Sequence, residues 1–295
     1  MKLSTAELYA LACAVLWATN ALLLRTLARD TAPATINAVR CGSAGVAFLL
    51  LMPFTSPLAG LLAVPWMEWG LLLLSLTSGL VIGDTLYLVA LRDIGVSRAM
   101  PVSGTFPLSA LPFERLLLGT PLQPSLLAGS LLVGGGVVLM AWGRTPERGS
   151  NIPSSRLLRG VVCALAASLL WGLAVTMVKP ATASLTMVQA NAMRMPVVAL
   201  LLYCFVLRPS RQRPLRALSR RLWVLLVASG LTGMGLGGYL FLTAMSEIGP
   251  AKAVTLTSSS PVIGIALAVL FLKEKLDARA VLGTGCCLLG VYTVL

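Results

Sequence analysis

The sequence predicts an all-α membrane protein with ten transmembrane helices, arranged as two inverted five-helix repeats. The composition, an internal repeat and the distribution of positive charge lead to this prediction. Of the residues, 57% are hydrophobic and 11% are charged, which does not suit a soluble domain. A helix needs roughly 20 apolar residues to cross a bilayer. Ten apolar runs occur, near residues 5–24, 34–52, 66–91, 99–118, 124–142, 157–178, 186–207, 220–246, 252–272 and 277–295.

The chain matches itself without a gap at a constant offset of 154 residues over residues 10–137. We therefore predict a first repeat at 1–143, a linker at 144–156 and a second repeat at 157–295, each repeat with five spans. The third and eighth spans are long, so we expect tilt or a break at their glycines. The first span has a partner in the sixth, which favours a retained helix over a secretion signal. Equivalent pairs include Trp17 and Trp171, Asn37 and Asn191, Arg40 and Arg194, Gly79 and Gly233, Gly83 and Gly237, and Pro107 and Pro261.

Positive charge distinguishes the equivalent loops of the two repeats. Residues 53–65 contain no Lys or Arg, whereas residues 207–219 contain Arg208, Arg211, Arg213 and Arg216. Under the positive-inside rule, equivalent loops of opposite charge indicate inverted orientations. The rule places the linker in the cytoplasm and both termini in the periplasm. The net charge of +13 is then a topology signal, and nucleic-acid binding is the weaker alternative because the arginines lie in short loops.

The cysteines predict neither a disulfide framework nor a metal site. All six fall inside apolar spans, where cysteine behaves as a small hydrophobic residue. The chain contains no His, and metal binding needs several convergent ligands. We expect no cofactor and no metal.

Several motifs resemble those of EamA-like ten-span transporters in the drug/metabolite transporter superfamily. They are Leu16-Trp17-x-x-Asn20, the arginines Arg40 and Arg194, residues 90–95 with their repeat at 244–249, and residues 272–276, Leu-Lys-Glu-Lys-Leu. The resemblance covers the whole chain. It implies a multi-pass protein of the inner membrane that moves metabolites, amino acids or drugs. Its partners would be a small-molecule substrate and membrane lipids, and the resemblance leaves a monomer or a homodimer open.

Inverted repeats predict a central cavity near the bilayer midplane, lined by irregular helices. Polar side chains in the spans should mark this cavity, because a polar group that faces lipid is costly. The alternative is that the Ser and Thr residues only bond their own helix backbone and that small residues only allow close packing. The candidate substrate-binding residues are Trp17, Asn20, Asn37, Tyr87, Ser103, Trp171, Asn191, Tyr239, Thr257 and Ser259.

Four charged residues inside spans are candidates for coupling or gating. Depth along the spans matches Arg40 with Asp84 and Arg194 with Glu114, which predicts two ion pairs. The alternative is that the arginines reach toward the membrane surface and that Glu114 pairs locally with its neighbour in the sequence. Asp84 has Gly238 as its repeat partner, so the carboxylate occurs once. We interpret Asp84 as a site for a coupling proton or for a substrate amino group.

These residues predict a secondary active transporter, in particular an exporter of small metabolites that works by alternating access. The sequence has no Gly-x-x-x-x-Gly-Lys-Ser/Thr motif, so direct coupling to ATP is not expected. We do not expect an enzyme, because neither clustered carboxylates nor a nucleophile with its base is visible. A membrane-embedded enzyme and an uncoupled lipid scramblase or scaffold remain the alternatives.

Overall fold

A computed structural model gives the architecture of the chain. It describes residues 3–27, 31–56, 64–94, 99, 102–142, 153–207, 218–260, 262–264, 266 and 278–295. In the first half the helices are α1 (Thr5–Leu27), α2 (Pro33–Thr55), α3 (Trp66–Leu76), α4 (Asp84–Ile94), α5 (Phe106–Leu118) and α6 (Pro124–Trp142). In the second half they are α7 (Ser154–Ala181), α8 (Met187–Leu202), α9 (Arg220–Ser229), α10 (Gly238–Ile248), α11 (Pro250–Thr257) and α12 (Ala278–Val294).

Two π-helical segments join helices at equivalent places in the two halves. The first segment, Thr77–Gly83, connects α3 to α4, and the second segment, Gly230–Gly237, connects α9 to α10. The third and eighth spans were expected to tilt or break at their glycines; the structure instead carries the helix through these glycines as a π-helical segment. When each helix–π–helix run counts as one element, the described residues form ten helical elements in the predicted order.

Local sequence signals explain several helix ends. The side chains of Thr186 and Gln189 form a reciprocal capping box at the start of α8, which satisfies backbone donors that a helix start leaves free. Gly249 has φ of +85°, a conformation that favours glycine, and Pro250 directly after it begins α11. This glycine–proline step ends α10 and lets the chain turn into the next helix.

Five helical runs among the described residues are long and apolar enough to cross a membrane. They are Ala34–Thr55, Trp66–Tyr87, Ser154–Ala181, Met187–Phe205 and Arg220–Ile248. The helices α6 and α12 are shorter and also apolar. The predicted ninth span, 252–272, is described only in part: α11 ends at Thr257, and Glu274 with its flanking lysines lies outside the described residues.

Equivalent helices of the two halves pack against each other in antiparallel pairs. A Cβ on Gly129 of α6 would lie 2.8 Å from the carbonyl oxygen of Gly290 of α12, and a Cβ on Gly283 would lie 2.6 Å from that of Gly136. Position 129 thus meets 290 while 136 meets 283, which requires opposite helix directions. Only glycine allows this approach, because any side chain would collide with the opposite backbone.

The pair formed by α2 and α8 follows the same rule. Gly45 lies against the ring of Pro196, and the hydroxyl of Ser56 after α2 is 2.8 Å from that of Thr186 before α8. The first helix of each half packs against helices of the other half. Helix α1 contacts α9, α10 and α11, and α7 contacts α3, α4 and α5. Each half therefore contributes to the surroundings of the other half's first helix.

Candidate functional site

Asp84, the first residue of α4, is the point where three helices converge. Trp171 of α7 donates a hydrogen bond from Nε1 to Asp84 Oδ1 at 2.8 Å. Asn37 of α2 donates from Nδ2 to Asp84 Oδ2 at 3.2 Å. Both donors are neutral, so the described residues supply hydrogen bonds to this carboxylate without supplying a contacting positive charge. The side chain of Asp84 is half-buried and keeps surface for another partner.

Two further aromatic rings pack against Trp171, the indole that donates to Asp84. The ring centroids of Trp171 and Tyr87 are 5.2 Å apart, and those of Trp171 and Phe106 are 5.8 Å apart. A Cβ on Gly83 would lie 3.0 Å from the Trp171 indole, so the missing side chain at Gly83 makes room for this ring. We call Asp84, Asn37, Tyr87, Phe106 and Trp171 the acidic cluster.

Trp17 and Asn20 of α1 form a second polar cluster against the second π-helical segment. Trp17 Nε1 donates to the carbonyl oxygen of Gly233 at 3.2 Å, and its ring lies 5.1 Å from that of Phe241. Asn20 donates to Thr232 Oγ1 at 3.0 Å, and its Oδ1 accepts from Ser229 Oγ at 2.7 Å. These contacts hold the Asn20 amide in one orientation.

Arg40 of α2 lies one helical turn after Asn37, is 8% exposed and reaches Gly233. Its Nε has no hydrogen-bond partner. The predicted ion pair is not formed among the described residues, since no nitrogen of Arg40 lies within 4.0 Å of an Asp84 oxygen. Asp84 still acts electrostatically on Arg40. The physical reason is that Asn37 hydrogen-bonds Asp84 while Arg40 points toward the second π-helical segment.

The predicted pair between Arg194 and Glu114 is also not formed in the described part of the chain. Glu114 of α5 accepts a 2.7 Å hydrogen bond from the backbone nitrogen of Ala251. A carboxylate at this place accepts a hydrogen bond from a free N–H group in the first turn of α11. Its negative charge also interacts favourably with the dipole of that helix. Arg194 is 8% exposed, and its Nε has no hydrogen-bond partner in the part of the chain that the structure describes. The alternative partner of Glu114, Arg115, instead donates to Gly119 O at 3.0 Å.

Other predicted site residues bond their own helices. Ser103 donates to Ala99 O, Thr257 to Ala253 O and Ser259 to Leu256 O. Asn191 donates to Met187 O at 2.9 Å, and its Oδ1 has no partner. These bonds agree with the alternative interpretation given above, in which polar side chains in the spans only donate to carbonyl oxygens of their own helix. Tyr239 is half-buried at the edge of a hydrophobic cluster. None of these four hydrogen bonds joins a residue of the acidic cluster.

Two ion pairs near helix ends were not predicted. Arg159, at the start of α7, donates to both oxygens of Asp93 near the end of α4, at 2.6 and 3.0 Å. Lys252 of α11 donates to Glu7 at the start of α1, at 2.7 Å. Each pair joins the first helix of one half to an element of the other half. The sequence did not indicate them, because these charges lie near helix ends, whereas the candidate ion pairs were chosen from charges deep in the spans.

Comparisons with known proteins agree with this architecture. A model described as the EamA-like transporter family matches residues 4–142 and again residues 158–295. A protein of Archaeoglobus fulgidus described as an uncharacterized transporter is 26% identical over 288 residues, which is 98% of this chain and 97% of that protein. A crystal structure of another protein superposes with a TM-score of 0.78 and 20% identity, over 99% of this chain and 96% of the other. The last likeness concerns the fold alone.

Proposed function

The chain belongs to the EamA-like transporter family and is a multi-pass membrane transporter, and we propose that it is a secondary active exporter of small metabolites such as amino acids or drugs. The observation that carries this proposal is the half-buried Asp84, held by neutral donors from α2 and α7. A carboxylate inside a membrane protein is costly and marks a pathway for substrates or protons. Asp84 lies where the two halves meet, as a substrate pathway requires.

Alternating access follows from an inverted arrangement of the two repeats. The antiparallel packing of the equivalent helices α6 and α12 and of α2 and α8 supports this arrangement. In such transporters the halves can exchange conformations, and the central site then opens to one side of the membrane at a time. The π-helical segments at equivalent positions are the irregular helix parts around that site.

The two ion pairs near helix ends fit the role of alternate closures. In the proposed topology, Asp93 and Arg159 lie toward the cytoplasm, whereas Glu7 and Lys252 lie toward the periplasm. One pair would break as the inner side opens, and the other as the outer side opens. In each pair the carboxylate is buried and the cation is at least partly exposed, so opening of that side would give the carboxylate access to water as the pair breaks.

Coupling to protons would use Asp84. A protonated Asp84 is neutral and loses its attraction for a substrate ammonium group, so a proton and a cationic group would compete for the same carboxylate. Such competition links proton entry to substrate exit, which is an antiport mechanism. The proposed location is the inner membrane, with the linker in the cytoplasm and both termini in the periplasm.

Transport by the purified chain in proteoliposomes tests the proposal. The vesicles hold a mixture of radiolabelled amino acids, and a proton gradient of either sign is imposed across the membrane. We expect loss of label to accelerate when the outside is acidic, and no acceleration in vesicles without protein. Equal rates with and without the gradient, for every amino acid, would contradict coupled export of amino acids.

Two controls separate the alternatives. A fluorescent phospholipid in the same vesicles, quenched from outside, reports lipid scrambling, which the proposal does not expect. Recovery of the amino acids unchanged by chromatography separates transport from an enzymatic reaction. Rapid scrambling together with absent transport would favour the uncoupled scramblase.

A further inference from the structure

We propose that the interior site takes a zwitterionic ligand, whose anionic group binds the guanidinium of Arg40 and whose ammonium group binds the carboxylate of Asp84. This inference rests on the proposed function and narrows its substrate class. It excludes ligands that carry only a positive or only a negative charge as good substrates.

Arg40 is a buried cation with no hydrogen-bond or ion-pair partner among the described residues. Its side chain forms no hydrogen bond with any described residue, and its Nε is enclosed without an acceptor. The neighbouring amide of Asn20 is already held by Ser229 and Thr232. A guanidinium out of contact with water needs an anion to offset its desolvation. The planar fork of Arg suits a carboxylate or a phosphate particularly well.

Asp84 is the complementary anion. Each of its oxygens accepts one hydrogen bond from a neutral donor, and a carboxylate oxygen has room for another. The half-buried ring of Trp171 donates to Asp84, and that of Tyr87, one turn further along α4, packs against Trp171. Aromatic faces attract ammonium groups, so the acidic cluster combines two features that favour a cationic group.

The separation of the two charges selects the ligand class. Asn37 of α2 contacts Asp84 and Arg40 follows Asn37 by one helical turn, yet no nitrogen of Arg40 lies within 4.0 Å of an Asp84 oxygen. A ligand that carries both charges would pair with the Arg40 guanidinium and with the Asp84 carboxylate at the same time. A simple cation would leave Arg40 unpaired, and a simple anion would leave Asp84 unpaired. The order of Asn37 and Arg40 on one face of α2 keeps the two binding points apart.

Binding of matched compounds to the purified full-length chain in detergent tests the inference. Each of several amino acids is compared with its methyl ester, which carries only the positive charge, and its N-acetyl form, which carries only the negative charge. Each loss of a charge-assisted contact should weaken binding by about tenfold or more. Dissociation constants are measured for the wild type, Arg40→Gln, Asp84→Asn and Arg40→Lys.

The variants should change selectivity in opposite directions. In Arg40→Gln the amino acid should lose its advantage over the ester, and in Asp84→Asn it should lose its advantage over the N-acetyl form. Arg40→Lys should restore part of the first advantage, which shows that the charge matters and that the fold survives. Arg115→Gln removes an arginine at the end of α5 and should leave both ratios unchanged.

The outcomes separate this inference from the proposed function. Binding of esters or N-acetyl forms as tight as that of the amino acids, or no binding of any amino acid, would overturn the zwitterion site. Proton-driven export of a singly charged compound would keep the proposed coupled exporter and still overturn this inference. The selective binding described above without any transport in vesicles would support the site and contradict the exporter.

Discussion

The two tryptophan clusters are equivalent in packing and different in chemistry. Trp17 lies against Gly237, and the equivalent Trp171 lies against the equivalent Gly83. A Cβ on Gly237 would lie 2.9 Å from the Trp17 indole, and a Cβ on Gly83 would lie 3.0 Å from the Trp171 indole. Each tryptophan belongs to the first helix of one half and contacts the π-helical segment of the other half. The shared packing comes from the repeat, in which glycine accepts a large ring at both places.

The hydrogen-bond partners of the two rings show where the halves differ. Trp171 donates to the side chain of Asp84, whereas Trp17 donates to the backbone oxygen of Gly233. Gly238 stands at the position equivalent to Asp84. A carboxylate that the repeated packing does not need is therefore a candidate for function, and the glycines under the rings are structural.

The largest effect should come from moving the carboxylate between the halves. Asp84→Asn should abolish acceleration of export by a proton gradient while substrate exchange persists at reduced affinity, because the amide keeps one acceptor oxygen but cannot bind and release a proton. Loss of a charged contact of this kind costs about 10- to 100-fold in rate or affinity. Efflux and exchange in proteoliposomes measure the two activities separately.

The matched control is Gly238→Asp. A Cβ at Gly238 would meet no atom within 4 Å, so the residue fits. We expect Gly238→Asp not to restore gradient-driven export to Asp84→Asn, since Trp171 and Asn37 are not there to hold the new carboxylate. Restoration in the double variant would show that the position of the charge is unimportant. Normal gradient-driven export by Asp84→Asn alone would show that the charge itself is not needed.

A smaller effect is expected from filling the equivalent glycines of the two π-helical segments. A Cβ on Gly79 would lie 2.7 Å from the Cβ of Ala174, and one on Gly233 would lie 2.9 Å from Arg40 Nη2 and the Asn20 amide. Gly79→Ala should destabilise by about 1–3 kcal/mol, as overpacking does. Gly233→Ala should destabilise less, because side chains can move, and should weaken amino acid binding through Arg40.

Thermal unfolding in detergent measures the stability of both variants. The control is Gly235→Ala in the second π-helical segment, where the closest atom to a Cβ is 3.6 Å away. It should be neutral or slightly stabilising, since alanine favours helix over glycine. Equal stability losses for Gly79→Ala and Gly235→Ala would refute the assignment of the tight contact.

The smallest effect concerns the equivalent serines Ser75 and Ser229. Ser75 donates to the backbone oxygen of Ala174 at 2.8 Å, whereas Ser229 donates to the Asn20 side chain at 2.7 Å. Each substitution to Ala should cost about 0.5–1.5 kcal/mol of stability. Ser229→Ala should also reduce binding at Arg40, because it frees the adjacent amide, while Ser75→Ala should not. Unfolding curves and amino acid titrations check this difference, and identical binding by the two variants would contradict it.

Much of the fold could be predicted from the sequence because apolar run length and the repeat are both linear signals. The glycines of the third and eighth spans indicated a departure from regular helix, and identical Trp, Asn, Arg, Gly and Pro residues at one offset indicated the repeat. The ion pairs could not be predicted from depth. Depth fixes one coordinate of Arg194 and Glu114, whereas contact also depends on how each helix is rotated and which helices are neighbours.

The candidate site was predictable only in part. Asp84, Tyr87 and Trp171 are brought together because α7 packs against α4, and Asn37 of α2 reaches the same carboxylate. The hydroxyls of Thr257 and Ser259 look alike in the sequence but bond their own backbone. Phe106 was not predicted as a site residue, because an apolar residue in an apolar span gives no sequence signal.

The most direct test of alternating access at the acidic cluster is two-sided labelling of a single cysteine at Tyr87, in a chain without the six native cysteines. A membrane-impermeant thiol reagent is applied to either face of sealed vesicles, with Leu50→Cys as the control because Leu50 is 68% exposed on the apolar outer surface of α2. The account predicts labelling from both faces, slowed by a bound amino acid, and little labelling at the Leu50 position. Labelling of Tyr87→Cys from one face only, or no faster than at position 50, would contradict it.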